Sequence, residues 1–235
     1  MADGFAAAMN ALDGGSTRSE DLSAYFVDVL PITGASVSTV GDMLGSETLA
    51  ATDGRAARLD ELQFDLGEGP CWDALRDALP VAEPDLAGHG AQRWPAFARA
   101  ARADPISSIF AFPLAVGALR FGAVDLYSLD PLRLDQRQTG QASAMAAAVG
   151  RRVLRDALNK GESAVEEDRN PLSRRAVHHA TGIVLAQLDI SAEDAELMIQ
   201  GHAFASNRSV MQVAGDITQG TLRFRRRNGS IEVAE

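Results

Sequence analysis

Residues 107–130, "SSIFAFPLAVGALRFGAVDLYSLD", constrain this chain more than any other stretch. Two runs rich in aromatic and branched side chains flank Gly117-Ala118, which reads as the turn of a β-hairpin. An antiparallel strand pair of this length must be part of a larger sheet. After Pro131 the character changes, and "LDQRQTGQASAMAAAVGRRVLRDALNKG" predicts one long Ala-rich helix that closes the domain.

The residues upstream supply the rest of a sheet and its covering helices. Leu22, Tyr25, Phe26, Val29 and Leu30 follow helical spacing. "GASVSTVG" and "ETLAATD" read as two strands. "DGRAARLDELQFDLGEGPCWDALRDAL" predicts two helices broken at "LGEGP", with Pro70 in the first turn of the second. "PVAEPDL" reads as an edge strand bracketed by prolines, and Trp94, Phe97, Ala98 and Ala101 as a short amphipathic helix. Residues 1–19, small and Gly-rich, are expected to be disordered.

Downstream, "ESAVEEDRN" is charged and apolar-poor, either a linker or a continuation of the long helix. Three short helices follow. The first spans roughly residues 171–188, with Leu172, Ala176, Ala180, Ile183, Val184 and Gln187 on one side, and Gly182 is expected to allow close helix packing. Ser191 is the expected N-cap of the second, whose inner face is Ala195, Met198, Ile199, His202 and Ala203. Asn207 suits the left-handed position that stops it. Ser209 and Gln212 form a capping box for the third, with Val210, Val213, Ala214 and Ile217 inward. So small a bundle is expected to dock or dimerise.

Charge separates the two halves. Of 22 basic and 32 acidic residues, seven of each follow Asn170, which leaves 15 basic and 25 acidic before it. The net charge of −10 argues against a generally basic nucleic-acid coat protein. One cysteine excludes an intrachain disulfide and multi-cysteine zinc sites. There is no apolar run long enough to span a membrane and no secretory signal pattern, so a cytoplasmic protein is the expectation.

"LQFDLGEGPCWDALRDALPVAEPDL" together with "FPLAVGALRFGAVDLYS" resembles the GAF sensor domain, in the variant that precedes ANTAR domains. "RRAVHHATGIV", "ISAEDAELMI" and "SVMQVAGDI" resemble ANTAR itself, through Arg174, Val177, Ala180, Gly182 and Ile183 and through one alanine per helix at 180, 195 and 214. The two resemblances cover about residues 20–220. They imply an α+β fold: a GAF-like antiparallel sheet flanked by helices, a long connector helix, then a three-helix ANTAR bundle. The expected divisions are 1–19, the sensor at 20–158, a linker or helix continuation at 159–169, the bundle at 170–222 and a basic then polar tail at 223–235. ANTAR domains act as dimers on hairpins of nascent transcripts and let polymerase read past a terminator; the sensor sets when this happens. The implied partners are therefore stem-loop RNA, a second copy of the chain, and a small molecule in the sensor domain. Two positions depart from the family pattern: Thr181 stands where a lysine is usual, and Glu196 where an aromatic is usual.

The candidate RNA-contacting residues are Arg174, Arg175, His178, Thr181, Asn207 and Arg208. Each has a plainer reading: solvated charge for the arginines, a helix stop for Asn207. His178 and His179 point about 100° apart on a helix and cannot share a metal as an i, i+4 pair can; His179 is expected at the core boundary, His178 in solvent. "RFRRR" at 223–227 reads as a disordered basic tail that adds non-specific phosphate attraction. In the sensor half, Glu68, Cys71, Trp72 and Asp85 are the candidate pocket residues. Cys71 at a helix N-terminus is either a reactive thiol or a small core residue, and His89 either a ligand or a surface histidine. "LGEGP" lacks the Lys-Ser/Thr of a phosphate loop. Asp85, Asp125 and Glu68 offer carboxylates, but no spacing places two together for acid–base work. No metal, resident cofactor or catalytic set is expected, so the leading function is a signal-responsive antitermination regulator rather than an enzyme. The alternative is a ligand-binding or protein-interaction module whose ANTAR domain no longer binds RNA.

Overall fold

The computed structural model describes residues 2–14, 18–41, 44–160, 174–206, 208–227 and 230–234. The chain divides into two compact units, Met1–Leu172 and Ser173–Glu235.

The first unit is built on a five-stranded antiparallel sheet in the order β2-β1-β5-β4-β3, with β1 at Gly34–Thr39, β2 at Glu47–Ala51, β3 at Val81–Glu83, β4 at Ser108–Val116 and β5 at Leu119–Ser128. The hairpin read from the sequence is β4–β5, which pairs from Ser108↔Ser128 to Val116↔Leu119 around the Gly117-Ala118 turn. The proline-bracketed β3 lies at the sheet edge, where a missing backbone donor does least harm.

Both faces of the sheet are covered, and the strand period of two sorts the side chains between them. Val37, Phe110, Phe112, Leu114, Val124 and Leu126 face a core shared with α1 (Ala2–Asp13), α2 (Ala24–Val29) and α7 (Gln136–Lys160). Ile109, Ala111 and Tyr127 face the other way, toward α3 (Gly54–Leu66), α4 (Pro70–Asp77), the short α5 (Ala91–Arg93) and α6 (Pro95–Ala100). Burying each large apolar side chain contributes on the order of 1.5–3 kcal/mol, so two filled faces give this unit a core of its own.

The N-terminal expectation is corrected here. Residues 2–13 form a helix, because Ala8 and Leu12 lie one turn apart and are fully buried in the core beneath α7. The Gly and Ala content suggested disorder; the pair of apolar residues at helical spacing outweighs it.

The second unit is a bundle of α8 (Arg175–Leu188), α9 (Ala192–Ser206) and α10 (Val210–Gln219). Its core contains Ala180, Val184, Ala195, Ile199, Ala203, Val213, Ala214 and Ile217. The helix starts are those read from the sequence. The Ser191 hydroxyl accepts from the Asp194 N–H (3.0 Å), and Ser209 with Gln212 closes a full capping box. The expected stop at Asn207 and the inward Leu172 lie outside the described residues. Gly182 is exposed with no neighbour near its Cβ position, so it makes no close helix contact; the tight packing is at Ala180.

The expected disordered tail is also corrected. β6 (Arg223–Arg227) and β7 (Ser230–Ala234) form an antiparallel hairpin. Phe224, in the middle of "RFRRR", is 1% exposed and belongs to the bundle core together with Leu222.

Candidate functional site

Polar side chains on the core side of α3 define the centre of the first unit. Asp53 caps this helix by accepting from the N–H groups of Arg55 (2.8 Å) and Ala56 (2.9 Å), which fixes its rotation over β1 and β2. Ala56, Leu59, Asp60 and Gln63 then point toward the sheet, and all four are buried. Two apolar positions of an amphipathic stripe are thus occupied by a carboxylate and an amide.

Gln63 is held by two elements, β5 and α4. Its Nε2 donates to Asp125 Oδ2 on β5 (2.6 Å), its Oε1 accepts from the Cys71 N–H of α4 (2.8 Å), and its carbonyl accepts from Trp72 Nε1 (2.6 Å). Thr48 on β2 donates its hydroxyl proton to Asp60. Asp125 is 4% exposed and its Oδ1 has no hydrogen-bond partner. Burial first, and the neighbouring Asp60 carboxylate second, push the Asp125 pKa well above the ordinary carboxylate range, while the Gln63 bond opposes the shift. Ser38, on the same face of the sheet across from Thr48, is also buried with its hydroxyl unpartnered. Asp60 and Asp125 are therefore a coupled buried carboxylate pair, which sequence spacing did not place together.

"LGEGP" is the joint that allows this. Gly69 has φ +142°, a region open to glycine, and a Cβ there would lie 2.6 Å from Gln63 Oε1. Pro70 then starts α4, so the Cys71 N–H is an uncommitted first-turn donor aimed at Gln63.

Of the four pocket candidates, Cys71 and Trp72 meet at Gln63, and the other two bind backbone elsewhere. Glu68 Oε1 accepts from the Phe97 N–H (2.7 Å) and caps α6 across the chain; Asp85 Oδ1 accepts from the Gly88 N–H (2.9 Å). Cys71 is 1% exposed and is the small core residue of its two readings. His89 projects from the surface with Nδ1 2.6 Å from Glu83 Oε2. Among the described residues no group of three or more His, Cys, Asp and Glu is arranged to hold a metal. A second polar cleft, shallow and open, is lined by Asp53, Arg55, Arg58, Asp104 and Tyr127. Burial and the adjacent Asp53, to which its hydroxyl donates (2.8 Å), push the Tyr127 pKa up to about 12.

In the bundle, the candidate RNA residues separate. Arg174 is 7% exposed, so its side chain does not stand in solvent. Arg208 Nη2 pairs with Asp216 Oδ2 at 2.5 Å across α10. Thr181 is half-buried and donates to the Val177 carbonyl one turn back (2.9 Å), a common use of a mid-helix threonine. His178 is exposed as expected; His179 is exposed too, not at the core boundary. Arg175 begins α8, and its side chain, like Asn207, lies outside the described residues. Among the described side chains of this set, Arg174, His178, Thr181 and Arg208, no hydrogen bond joins one to another.

No family model and no curated protein matches this chain. Solved structures do match its fold. The GAF domain of an Acinetobacter phosphoenolpyruvate-protein phosphotransferase superposes with a TM-score of 0.52 at 9% identity, covering 71% of this chain and 97% of that one. The corresponding domain from Coxiella burnetii gives 0.51 at 14% identity, covering 68% and 96%. The first unit therefore has a GAF-like fold. No helix among the described residues is long and apolar enough to cross a membrane.

Proposed function

We propose that this chain is a signal-responsive RNA-binding regulator of transcription antitermination. The GAF-fold unit is the sensor, and the three-helix unit is an ANTAR-type output domain that acts on stem-loops of nascent transcripts. It works as a cytoplasmic homodimer and as a regulator, not an enzyme.

The observation that carries this reading is the arrangement of the bundle core. Ala180, Ala195 and Ala214, one per helix, are all fully buried, so three small side chains set close approach among three helices, the second and third of which have capped starts. A rigid scaffold of this kind can present polar side chains to exposed loop bases. In the sensor, the Asp60–Gln63–Asp125 cluster supports a switch. Unpartnered polar atoms under α3 favour a small polar ligand that donates hydrogen bonds, whose binding would reset α3 and α4 through Gln63.

The test is a mobility shift with the purified full chain and transcripts carrying paired stem-loops. Salt-sensitive binding that depends on the loop bases is the expected result. No such binding, under any ligand condition, would sink the reading.

One observation favours a second reading, in which the bundle has lost RNA binding and serves as an interaction module. Two of the family-matched cationic positions are unavailable: Arg174 is buried and residue 181 is a threonine bonded to its own helix. On this reading Thr181→Lys creates RNA affinity absent from the parent. Tight binding by the parent refutes it.

A further inference from the structure

Of the seven basic residues after Asn170, four lie in the five residues of β6. Arg174 is buried and Arg208 is paired with Asp216. The exposed cations among the described side chains of the bundle unit are thus Arg223, Arg225 and Arg226. None of the three forms an ion pair with a described residue. Glu232, the acidic residue described on β7, stands opposite Arg225 and lowers the local charge without cancelling it.

This strand is fixed to the bundle. Phe224 is buried in the core, its N–H donates to Gln187 Oε1 on α8 (3.0 Å), and its ring meets His202 of α9 edge-on at 5.9 Å. Because side chains alternate along a strand, anchoring Phe224 inward turns Arg223 and Arg225 outward together, at a repeat of roughly 6.8 Å. A disordered tail would have to order its arginines on binding; here the core has already done so.

We infer that β6 is a phosphate-binding strand, in which Arg223 and Arg225 on one face, together with the exposed Arg226 on the other, take the sugar-phosphate backbone of the RNA. This rests on the RNA-binding function proposed above and locates its electrostatic contact on the terminal hairpin instead of α8. Such contacts position RNA without reading its sequence, and leave loop recognition to the helices.

The experiment compares the full chain with Arg223→Gln/Arg225→Gln/Arg226→Gln and with the matching triple Lys variant. Affinity is measured against salt concentration for a tandem stem-loop RNA and for polyuridine. Each phosphate contact contributes about 0.7–0.9 to the slope of log affinity against log salt. The triple Gln variant is expected to lose roughly 2–3 units of slope on both RNAs, with the Lys variant close to the parent. A folded Gln variant with the parent's slope and affinity overturns the inference and leaves the function standing. So does a Lys variant that loses as much as the Gln variant. A parent that binds neither RNA removes both. Should the triple variant fail to fold, Arg225→Gln alone must lower the slope by about one unit, and an unchanged slope overturns the inference.

Discussion

At the residue scale the decisive feature is a carboxylate that avoids charge. Asp125 is buried with one oxygen unpartnered beside a second buried carboxylate, and its pKa is raised. A raised folded-state pKa means the native state holds the proton more tightly than the unfolded chain. Stability is then greatest below the unfolded value of about 3.9 and falls as pH rises toward the folded value. Asp125→Asn keeps the oxygen that accepts from Gln63 and removes the charge. It should raise stability at neutral pH by about 1–3 kcal/mol and flatten the decline that begins above about pH 4, as urea unfolding at a series of pH values would show. An undiminished pH dependence in the variant would place the titration elsewhere. Gly69→Ala acts on the same cluster from outside. The new Cβ meets Gln63 at a backbone angle that alanine resists, and a loss of about 1–3 kcal/mol is expected in the same assay. Neither effect was legible from spacing. Asp60 and Gln63 carried a signal, polar residues on the inward stripe of α3, but their partner Asp125 lies 62 residues from Gln63, and its approach depends on the sheet register.

At the scale of elements, the sequence was legible wherever structure is local. The β4–β5 turn, the break at "LGEGP", the edge position of β3 and the caps of α9 and α10 each follow from a few neighbouring residues. The two errors, at the chain ends, share a cause. Composition favours disorder in residues 1–19 and in "RFRRR", yet in each case buried apolar side chains, Ala8 and Leu12 or Phe224, tie the segment to a distant core. Phe224→Ala should therefore behave as a core truncation, with a cost of about 3–5 kcal/mol to the bundle unit. Hydrogen exchange would show the loss as reduced protection in α8 and α9, which Phe224 touches. An effect confined to β6 and β7 would return the hairpin to the status of a tail.

At the scale of the whole molecule, the two units have separate cores. Among the described residues, the buried members of the two apolar clusters of the first unit run up to Val153, and the bundle cluster begins at Val177. Charge divides along the same line, with all of the net negative charge in the first unit and a neutral bundle. Separate cores predict separate unfolding, because cooperativity is transmitted through shared buried contacts. Calorimetry of the full chain should resolve two transitions. Ser209→Ala removes the hydroxyl that closes the α10 capping box, a loss of about 1 kcal/mol. In a unit of this size that lowers the midpoint by roughly 4–8 °C, and only the bundle transition should move. Asp125→Asn should move only the other. If both substitutions shift one common transition, the units fold as a single cooperative body. Binding of a ligand under α3 would then stabilise the bundle through folding free energy itself, without a separate conformational relay.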